Sequence, residues 1–172
     1  MSRLFADLAE DAEPRRLVVG LWVRRAIMTA FAVIVVLALI GIFGQRASES
    51  TARSPAASLR LSAPKRVRGG LFFQSRIEVR ALRAIQHPRL VLASGWLEGM
   101  QVNSIEPSAV GEAYRDGRLV LSYDTLDAGD TLVVWLQFEV DPTEVGGRSY
   151  GVELDDAETK LAVIDHHLRV LP

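Results

Sequence analysis

Apolar residues are concentrated in one uninterrupted block near the start of the chain. Between Ala26 and Gly44 no residue is charged, and nearly all are Ala, Ile, Val, Leu, Met or Phe. A helix of that length, at about 1.5 Å per residue, spans roughly 28 Å, which is close to the hydrocarbon thickness of a bilayer. The block therefore predicts a transmembrane helix over 26–44. A cleaved signal peptide fits less well, because its apolar region is shorter and no small-x-small pattern follows Gly44.

Beyond residue 58 the apolar positions recur at every second residue instead. Such alternation is typical of a strand with one face in the core and one in water. It is clearest over 71–81 and 132–140, and turn signals such as Gly69-Gly70 separate the apolar runs. With no helical window in this region, the pattern predicts an all-β fold, an antiparallel β-sandwich of 7–8 strands. The candidate strands are 59–61, 71–81, 90–93, 100–105, 119–123, 132–140, 150–154 and 161–171.

The segment between these two patterns, residues 45–57, carries no large apolar side chain. A segment of this composition buries too little surface to offset the entropy lost on ordering it, so a flexible linker is predicted. The resulting domain organisation has four parts. They are a cytoplasmic or interfacial segment over 1–25, the transmembrane helix over 26–44, the linker over 45–57 and the β-sandwich over 58–172.

Two stretches of the distal region resemble immunoglobulin-like domains of bacterial extracytoplasmic proteins. In residues 126–132 (Leu-Asp-Ala-Gly-Asp-Thr-Leu) a Leu, a Gly-containing turn and the start of a long alternating strand follow one another. Residues 141–143 (Asp-Pro-Thr) with Gly146-Gly147 are similar to the C-terminal end of the same domains. The resemblance covers residues 58–172. It implies an immunoglobulin-like sandwich used for adhesion, spacing or protein contact, and it carries over no catalytic residue.

The charged residues are segregated along the chain, although the net charge is only −1. Residues 46–89 carry ten Lys or Arg and two acidic residues, whereas residues 90–172 carry five and fifteen. The basic part is a candidate to contact anionic lipid or an acidic partner. Nucleic-acid binding is not predicted, because the basic positions are interleaved with strand pattern and have no exposed aromatic platform. The candidate basic residues are Lys65, Arg66, Arg68, Arg76, Arg80, Arg83 and Arg89.

The residues that flank the apolar block indicate its orientation. Basic residues are denser before the block than after it, which favours a cytoplasmic N-terminus and an extracytoplasmic C-terminal domain in a single-pass membrane protein. Trp22 is predicted to lie in the membrane interface, with Arg24 and Arg25 at the level of the phosphates. Arg outnumbers Lys eighteen to two, which is typical of a GC-rich bacterial genome.

Several large side chains occupy outward positions of the predicted strands. Phe72, Val133 and Trp135 add apolar surface to a face that alternation assigns to water, and Arg76 and Arg80 lie on the same face. Either another strand, a loop or the long side chains of the two arginines cover this surface, or it binds a partner. In the second case Trp135 is the expected anchor of the interface.

Acidic residues cluster in two loops that are predicted to share one end of the sandwich. Carboxylate oxygens in loops are ligands that Ca²⁺ prefers, although Asp is also common in ordinary turns. The spacing matches no known calcium loop. The candidate ligands are Asp124, Asp127, Asp130, Asp155 and Asp156.

No constellation in the sequence predicts catalysis. His166 and His167 are adjacent in a predicted strand, so their side chains point to opposite faces and cannot share a metal ion. The chain has no cysteine, and it contains neither a nucleophile elbow nor a phosphate-binding loop. No enzymatic activity and no cofactor are therefore predicted. Trp96 is expected to be a core aromatic.

The combined prediction is a non-catalytic, membrane-anchored binding or accessory module that associates with another integral membrane or envelope protein. The contacts are expected through the β-sandwich, the helix or both, with membrane lipid as a further contact and self-association left open. Two alternatives remain: a Ca²⁺-dependent adhesion or ligand-binding domain, and a sensor subunit of a transmembrane signalling complex.

Overall fold

The computed structural model describes residues 12–39 and 46–172, with side chains from residue 19 onwards. The expectations for residues 1–11 and 40–45 lie outside the described residues. The chain divides into two units at residue 45: a helical unit and a β domain, each of which is described by itself.

Helix α1 (Ala12–Leu39) begins earlier than predicted. The predicted start at residue 26 is wrong, and the described apolar span that is long enough to cross a membrane is Val19–Leu39. Proline is compatible with the first turn of a helix, and only Gly20 among the residues from 15 to 25 is a poor helix former. No residue between 15 and 25 breaks the helix, so it extends upstream of residue 26.

The β domain contains thirteen strand segments within residues 46–172. One layer is a five-stranded antiparallel sheet with the order β1-β2-β4-β9-β6. A second five-stranded sheet has the order β12-β11-β5-β8-β7, and a three-stranded sheet has the order β10-β13-β3. The segments are β1 (Ala47–Arg53), β2 (Ala57–Pro64), β3 (Arg66–Arg68), β4 (Phe72–Ala81), β5 (Pro88–Leu92), β6 (Met100–Glu106), β7 (Gly111–Arg115), β8 (Arg118–Ser122), β9 (Thr131–Val140), β10 (Gly146–Ser149), β11 (Val152–Asp156), β12 (Thr159–Ile164) and β13 (His167–Leu171).

The second and third sheets form one bent layer. Ser149 of β10 pairs with His167 of β13, and Val152 of β11 pairs with Ile164 of β12, so the register continues unchanged across the bend. Between these pairs the backbone N–H of Tyr150 donates to the carbonyl oxygen of His166 at 2.7 Å. The predicted class, one helix followed by an antiparallel β-sandwich, is confirmed.

The number of strand segments exceeds the predicted 7–8 for two reasons. One predicted strand, 161–171, is interrupted once and becomes β12 and β13. Four further strands, β1, β3, β7 and β10, were not predicted, because all are edge strands without alternating large apolar residues.

A flexible linker was predicted over 45–57, but its described residues, 46–57, are largely strand with a bend before β2. Strand β1 pairs with β2 along its whole length, and the carbonyl of Ala56 accepts backbone N–H groups from Leu82 and Arg83. The linker prediction is therefore wrong, and the β domain begins before residue 58. Pairing satisfies the backbone of an edge strand, so small inward side chains are sufficient there. Those inward residues are Ser48, Ser50 and Ala52.

The core lies between the two layers and consists only of residues of the β domain. Trp96, predicted to be a core aromatic, is fully buried and stacks on Tyr150 with 3.5 Å between the ring centroids. The indole N–H of Trp96 donates to the Gly151 carbonyl at 2.9 Å. The Tyr150 hydroxyl shares a hydrogen bond of 3.1 Å with Ser75, and burial raises the pKa of Tyr150. Both polar groups are thus buried with partners.

His166 is the second buried polar side chain of the core region. Its Nε2 lies 3.3 Å from the Pro64 carbonyl oxygen, and its Nδ1 lies 3.5 Å from the Ser50 hydroxyl. Burial lowers the pKa of His166. His167, the next residue, is exposed, so the two side chains point to opposite faces as predicted.

The stability of the β domain should therefore depend on pH through His166. Below about pH 6.5, the ordinary histidine pKa, the unfolded chain binds a proton that the folded chain still excludes. We expect the free energy of unfolding to fall as the pH decreases from that value to the lowered pKa of the folded state. Denaturant titrations should show His166→Gln flattening this part of the profile and His167→Gln leaving it intact. An unchanged slope in His166→Gln would refute this origin of the pH dependence.

Candidate protein-binding face

The solvent-facing surface of the five-stranded sheet is here called the outer face. The strand register places Trp135 of β9 between Arg76 of β4 and Glu106 of β6. The same row continues to Ser62 of β2 and Glu49 of β1, so it crosses all five strands. All five residues predicted to bind a partner lie on this face: Phe72, Arg76, Arg80, Val133 and Trp135.

Trp135 and Arg76 form the centre of the outer face. The Arg76 guanidinium carbon lies 5.4 Å from the centroid of the Trp135 ring, and one of its nitrogens is 2.7 Å from a Glu78 oxygen. The indole remains 41% exposed, so the arginine covers only part of it. The Nε of Arg76 is buried and has no hydrogen-bond partner within the described chain. A charged donor and a large aromatic are therefore presented together.

The other predicted residues extend this surface along β4 and β9. Phe72 is 55% exposed and lies opposite Glu139, whereas Val133 is only half-buried and lies opposite Glu78. Arg80 is exposed at the other end of β4. Arginine side chains therefore do not fully cover Phe72 or Trp135.

Sequence patterns missed the part of the outer face that β1 and β2 contribute. Arg60 of β2 faces outward between Thr51 and Glu78, and Arg53 of β1 lies opposite Ser58. Both arginines are exposed. No apolar periodicity marks β1, so only the pairing with β2 reveals these positions.

The equivalent surface of the second five-stranded sheet is covered by its own side chains. Val91 and Val120 occupy outward register positions, yet they are only 7% and 8% exposed. Glu153, which pairs with Val91, forms ion pairs with Arg118 at 3.3 Å and Lys160 at 3.0 Å. This surface therefore pairs these charges and shields these two valines, whereas Val163 of the edge strand β12 is 38% exposed.

Three arginines of the outer face lack such compensation, whereas Arg76 is paired with Glu78. Arg53, Arg60 and Arg80 are exposed, and within the described chain none of them forms an ion pair. Exposed aromatics beside uncompensated cations are features of surfaces that bind other molecules, because Trp and Arg are enriched at binding hot spots.

A shallow cleft of about 380 Å³ lies where β6 and β9 meet the following loop. Glu139 and Gln101, which pair across the strands, connect it to the outer face. The carboxylate of Asp141 at its rim accepts hydrogen bonds from the backbone N–H and the hydroxyl of Thr143, and these lower the pKa of Asp141. This carboxylate thus stabilises a turn.

The two acidic loops do share one end of the domain. The segment before β5 joins them, because Ile85 bridges to Leu126 and Pro88 pairs with Asp156. However, the carboxylate of Asp156 accepts the N–H of His87 at 2.8 Å. The Asp156 carboxylate is therefore used to hold the segment before β5.

The described residues do not form the predicted Ca²⁺ site. Among the described residues, which include Asp124 and all other candidates, no three Asp, Glu or His side chains lie close enough to hold a metal ion. The Asp130 carboxylate accepts the N–H of Asp127 at 2.9 Å. One Asp155 oxygen is buried without a partner, and burial raises the pKa of Asp155, so its anionic form is disfavoured. The Ca²⁺-dependent alternative loses its basis.

The predicted membrane-interface residues all lie within α1. Trp22 is 65% exposed, and the guanidinium carbon of Arg25 lies 5.8 Å from the centroid of its ring. Arg24 is also exposed. A cation over an indole is a suitable pair for a headgroup region, where one side is apolar and the other is wet.

Comparison with known proteins reveals similarity of fold only. No protein-family profile matches the chain, and no curated protein is similar to it in sequence. A non-cellulosomal cohesin from the archaeon Archaeoglobus fulgidus is similar over 74% of this chain and 92% of its own, with 12% identity and a TM-score of 0.43. AvmM, which catalyses macrocyclisation in alchivemycin A biosynthesis, is similar over 75% of this chain and 90% of its own, with 5% identity and a TM-score of 0.44. At these identities neither protein indicates a function.

Proposed function

We propose that this protein is a non-catalytic bacterial binding module, anchored in the cell membrane by α1, that associates with another integral membrane or envelope protein. The outer face of the five-stranded sheet makes the contact. Trp135 is the anchor of the interface, Phe72 and Val133 extend its apolar part, and Arg76 and Arg80 supply its charge.

The exposed Trp135 beside Arg76 is the observation that carries this proposal. On the opposite layer, Val91 and Val120 are shielded and Glu153 is paired with Arg118 and Lys160, whereas Val163 is 38% exposed. The outer face instead exposes its aromatic residues in water, and this arrangement is stabilised only when a partner covers them. Glu49 and Glu106 lie at the two ends of the row that contains Trp135. There they can pair with charged groups at the rim of a partner.

Co-purification from native membranes tests the partner contact. The full chain, extracted in mild detergent, should retain one stoichiometric membrane or envelope protein. Trp135→Ala should lower the retained amount by at least tenfold, because truncating a hot-spot aromatic costs about 2 kcal/mol or more. Val163→Ala is the matched control, since Val163 is 38% exposed on the other layer. Equal retention by both variants, or a chain purified only with copies of itself, would contradict the proposal.

The proposed orientation places the N-terminus in the cytoplasm and the β domain outside the cell membrane. Protease added to intact spheroplasts should therefore digest residues 46–172 and spare the segment before Val19. Digestion of the β domain only after lysis would show the opposite orientation. Release of an intact β domain into the soluble fraction, without α1, would show that the helix is a cleaved signal sequence.

A further inference from the structure

A second exposed surface, on the bent layer, carries only positive charge. Arg66 and Arg68 of β3 lie beside β13, where Arg169 is in register with Arg66. These three side chains are exposed, because the alternate valines of both strands fill the core. Lys65 is also exposed, and its carbonyl oxygen accepts the backbone N–H of Arg169 at 2.9 Å. Lys65, Arg66, Arg68 and Arg169 are here called the basic surface.

The surroundings of the basic surface do not neutralise it. Within the described chain, none of its four side chains forms an ion pair. The neighbouring strand β10 places Gly147 opposite Arg169 and Ser149 opposite the exposed His167. The nearest acid along β13 is Asp165, which precedes the strand. Three arginines and a histidine are thus grouped on one small sheet face, and Lys65 lies in the bend that precedes β3.

The structure divides the basic residues that the sequence grouped together. Arg76 and Arg80 belong to the outer face, and Arg89 forms an ion pair of 2.9 Å with Glu158 on the other layer. Only Lys65, Arg66 and Arg68 of the predicted basic set remain together, joined by Arg169 from the acidic part of the chain. The pairing of β3 with β13 therefore brings together basic residues that are far apart in the sequence.

The basic surface follows directly on the strand that pairs with the first strand of the β domain. Strand β3 directly follows β2, whose last residue Pro64 pairs with Ala47, the first residue of β1. Only residues 40–45 separate Arg46 from the described helix.

We propose that the basic surface binds the phosphates of anionic phospholipids in the membrane that holds α1. The proposal rests on the anchoring function of that helix. Guanidinium groups form bidentate hydrogen bonds with phosphate oxygens, and three of the four cations are arginines. Residues 46–172 contain fifteen Lys or Arg and seventeen Asp or Glu, so attraction to an anionic surface requires this local patch.

Vesicle co-sedimentation of the fragment 46–172 tests this inference without the helix, since the core of the β domain is complete within it. The fragment should bind vesicles of phosphatidylcholine with phosphatidylglycerol and ignore vesicles of phosphatidylcholine alone. Combined Arg66→Gln, Arg68→Gln and Arg169→Gln should weaken binding by about 100-fold, because each basic residue near an anionic surface contributes roughly fivefold. Added salt should weaken the binding of the unaltered fragment.

The matched control removes the same charge from the outer face by combining Arg53→Gln, Arg60→Gln and Arg80→Gln. This variant should keep vesicle binding within a few-fold, and melting curves should show that both variants fold. No binding to anionic vesicles, or equal losses in the two variants, would overturn the proposal. If the basic-surface variant of the full chain instead loses its co-purified protein, the surface serves an acidic protein partner. Trp135 is unchanged in every fragment. A failure of vesicle binding is therefore distinguishable from a failure of the outer-face contact.

Discussion

Replacing Trp96 with alanine should destabilise the β domain by about 3–5 kcal/mol, the usual cost of truncating a buried tryptophan. The ring is fully buried and contacts Tyr150 and Phe138, with centroid separations of 3.5 and 5.2 Å. Its loss leaves a large cavity and removes the indole hydrogen bond to the Gly151 carbonyl. Since small domains are stable by only about 5–15 kcal/mol, much of the folding free energy would be lost.

Trp135→Ala is the matched control for this experiment, because it removes the same side chain from the outer face. Denaturant unfolding of the fragment 46–172 should show a change within about 1 kcal/mol for Trp135→Ala, as for most surface substitutions. Similar losses for both variants would mean that Trp135 stabilises the fold. The role of the outer face as a free binding surface would then be refuted.

Removing residues 46–57 should destabilise the remaining domain by several kcal/mol. The deletion removes strand β1, which pairs with β2 over seven residues, and the Ala56 carbonyl, which accepts two backbone N–H groups. The deletion also uncovers β2 and removes Ala52, which packs against the core, and lost apolar burial lowers stability. The hydroxyl of Ser50 near His166 is lost as well. Thermal melts of fragments starting at residues 46 and 58 provide the measurement.

The fragment that begins at residue 46 is the reference for this comparison. If residues 45–57 were a flexible linker, both fragments would melt at the same temperature with the same cooperativity, and that result would contradict the structure. The expected result is a lower melting temperature or a loss of cooperative unfolding in the shorter fragment.

Alternation along the chain was sufficient to predict the centre of the β domain. Strands β4 and β9 place Ile77, Val79, Val134 and Phe138 inward, and the intervening positions lie outward, as the period of two requires. The same alternation located Trp135 and Arg76 on one face. Alternation could not show that these residues are neighbours, because strand order and register depend on contacts between distant segments.

The errors have a common physical origin. Strand β1 is stabilised by backbone pairing and small side chains, so its residues from Ala47 to Arg53 resemble a linker in composition. The Ca²⁺ prediction counted carboxylates without their partners, whereas Asp130 and Asp156 are occupied by backbone N–H groups in turns. Arg169 was absent from the predicted basic set because β13 reaches β3 only through the fold. Local sequence does not encode such pairings.

The most direct test of the central claim is photo-crosslinking from the outer face in native membranes. A photoreactive amino acid is introduced at position 135 or, as the control, at position 163, because Trp135 and Val163 are 41% and 38% exposed on opposite layers. Position 135 should yield one dominant covalent adduct with another membrane or envelope protein, and position 163 should yield none. Equal adducts from both positions, no adduct from position 135, or an adduct containing only this chain would contradict the account.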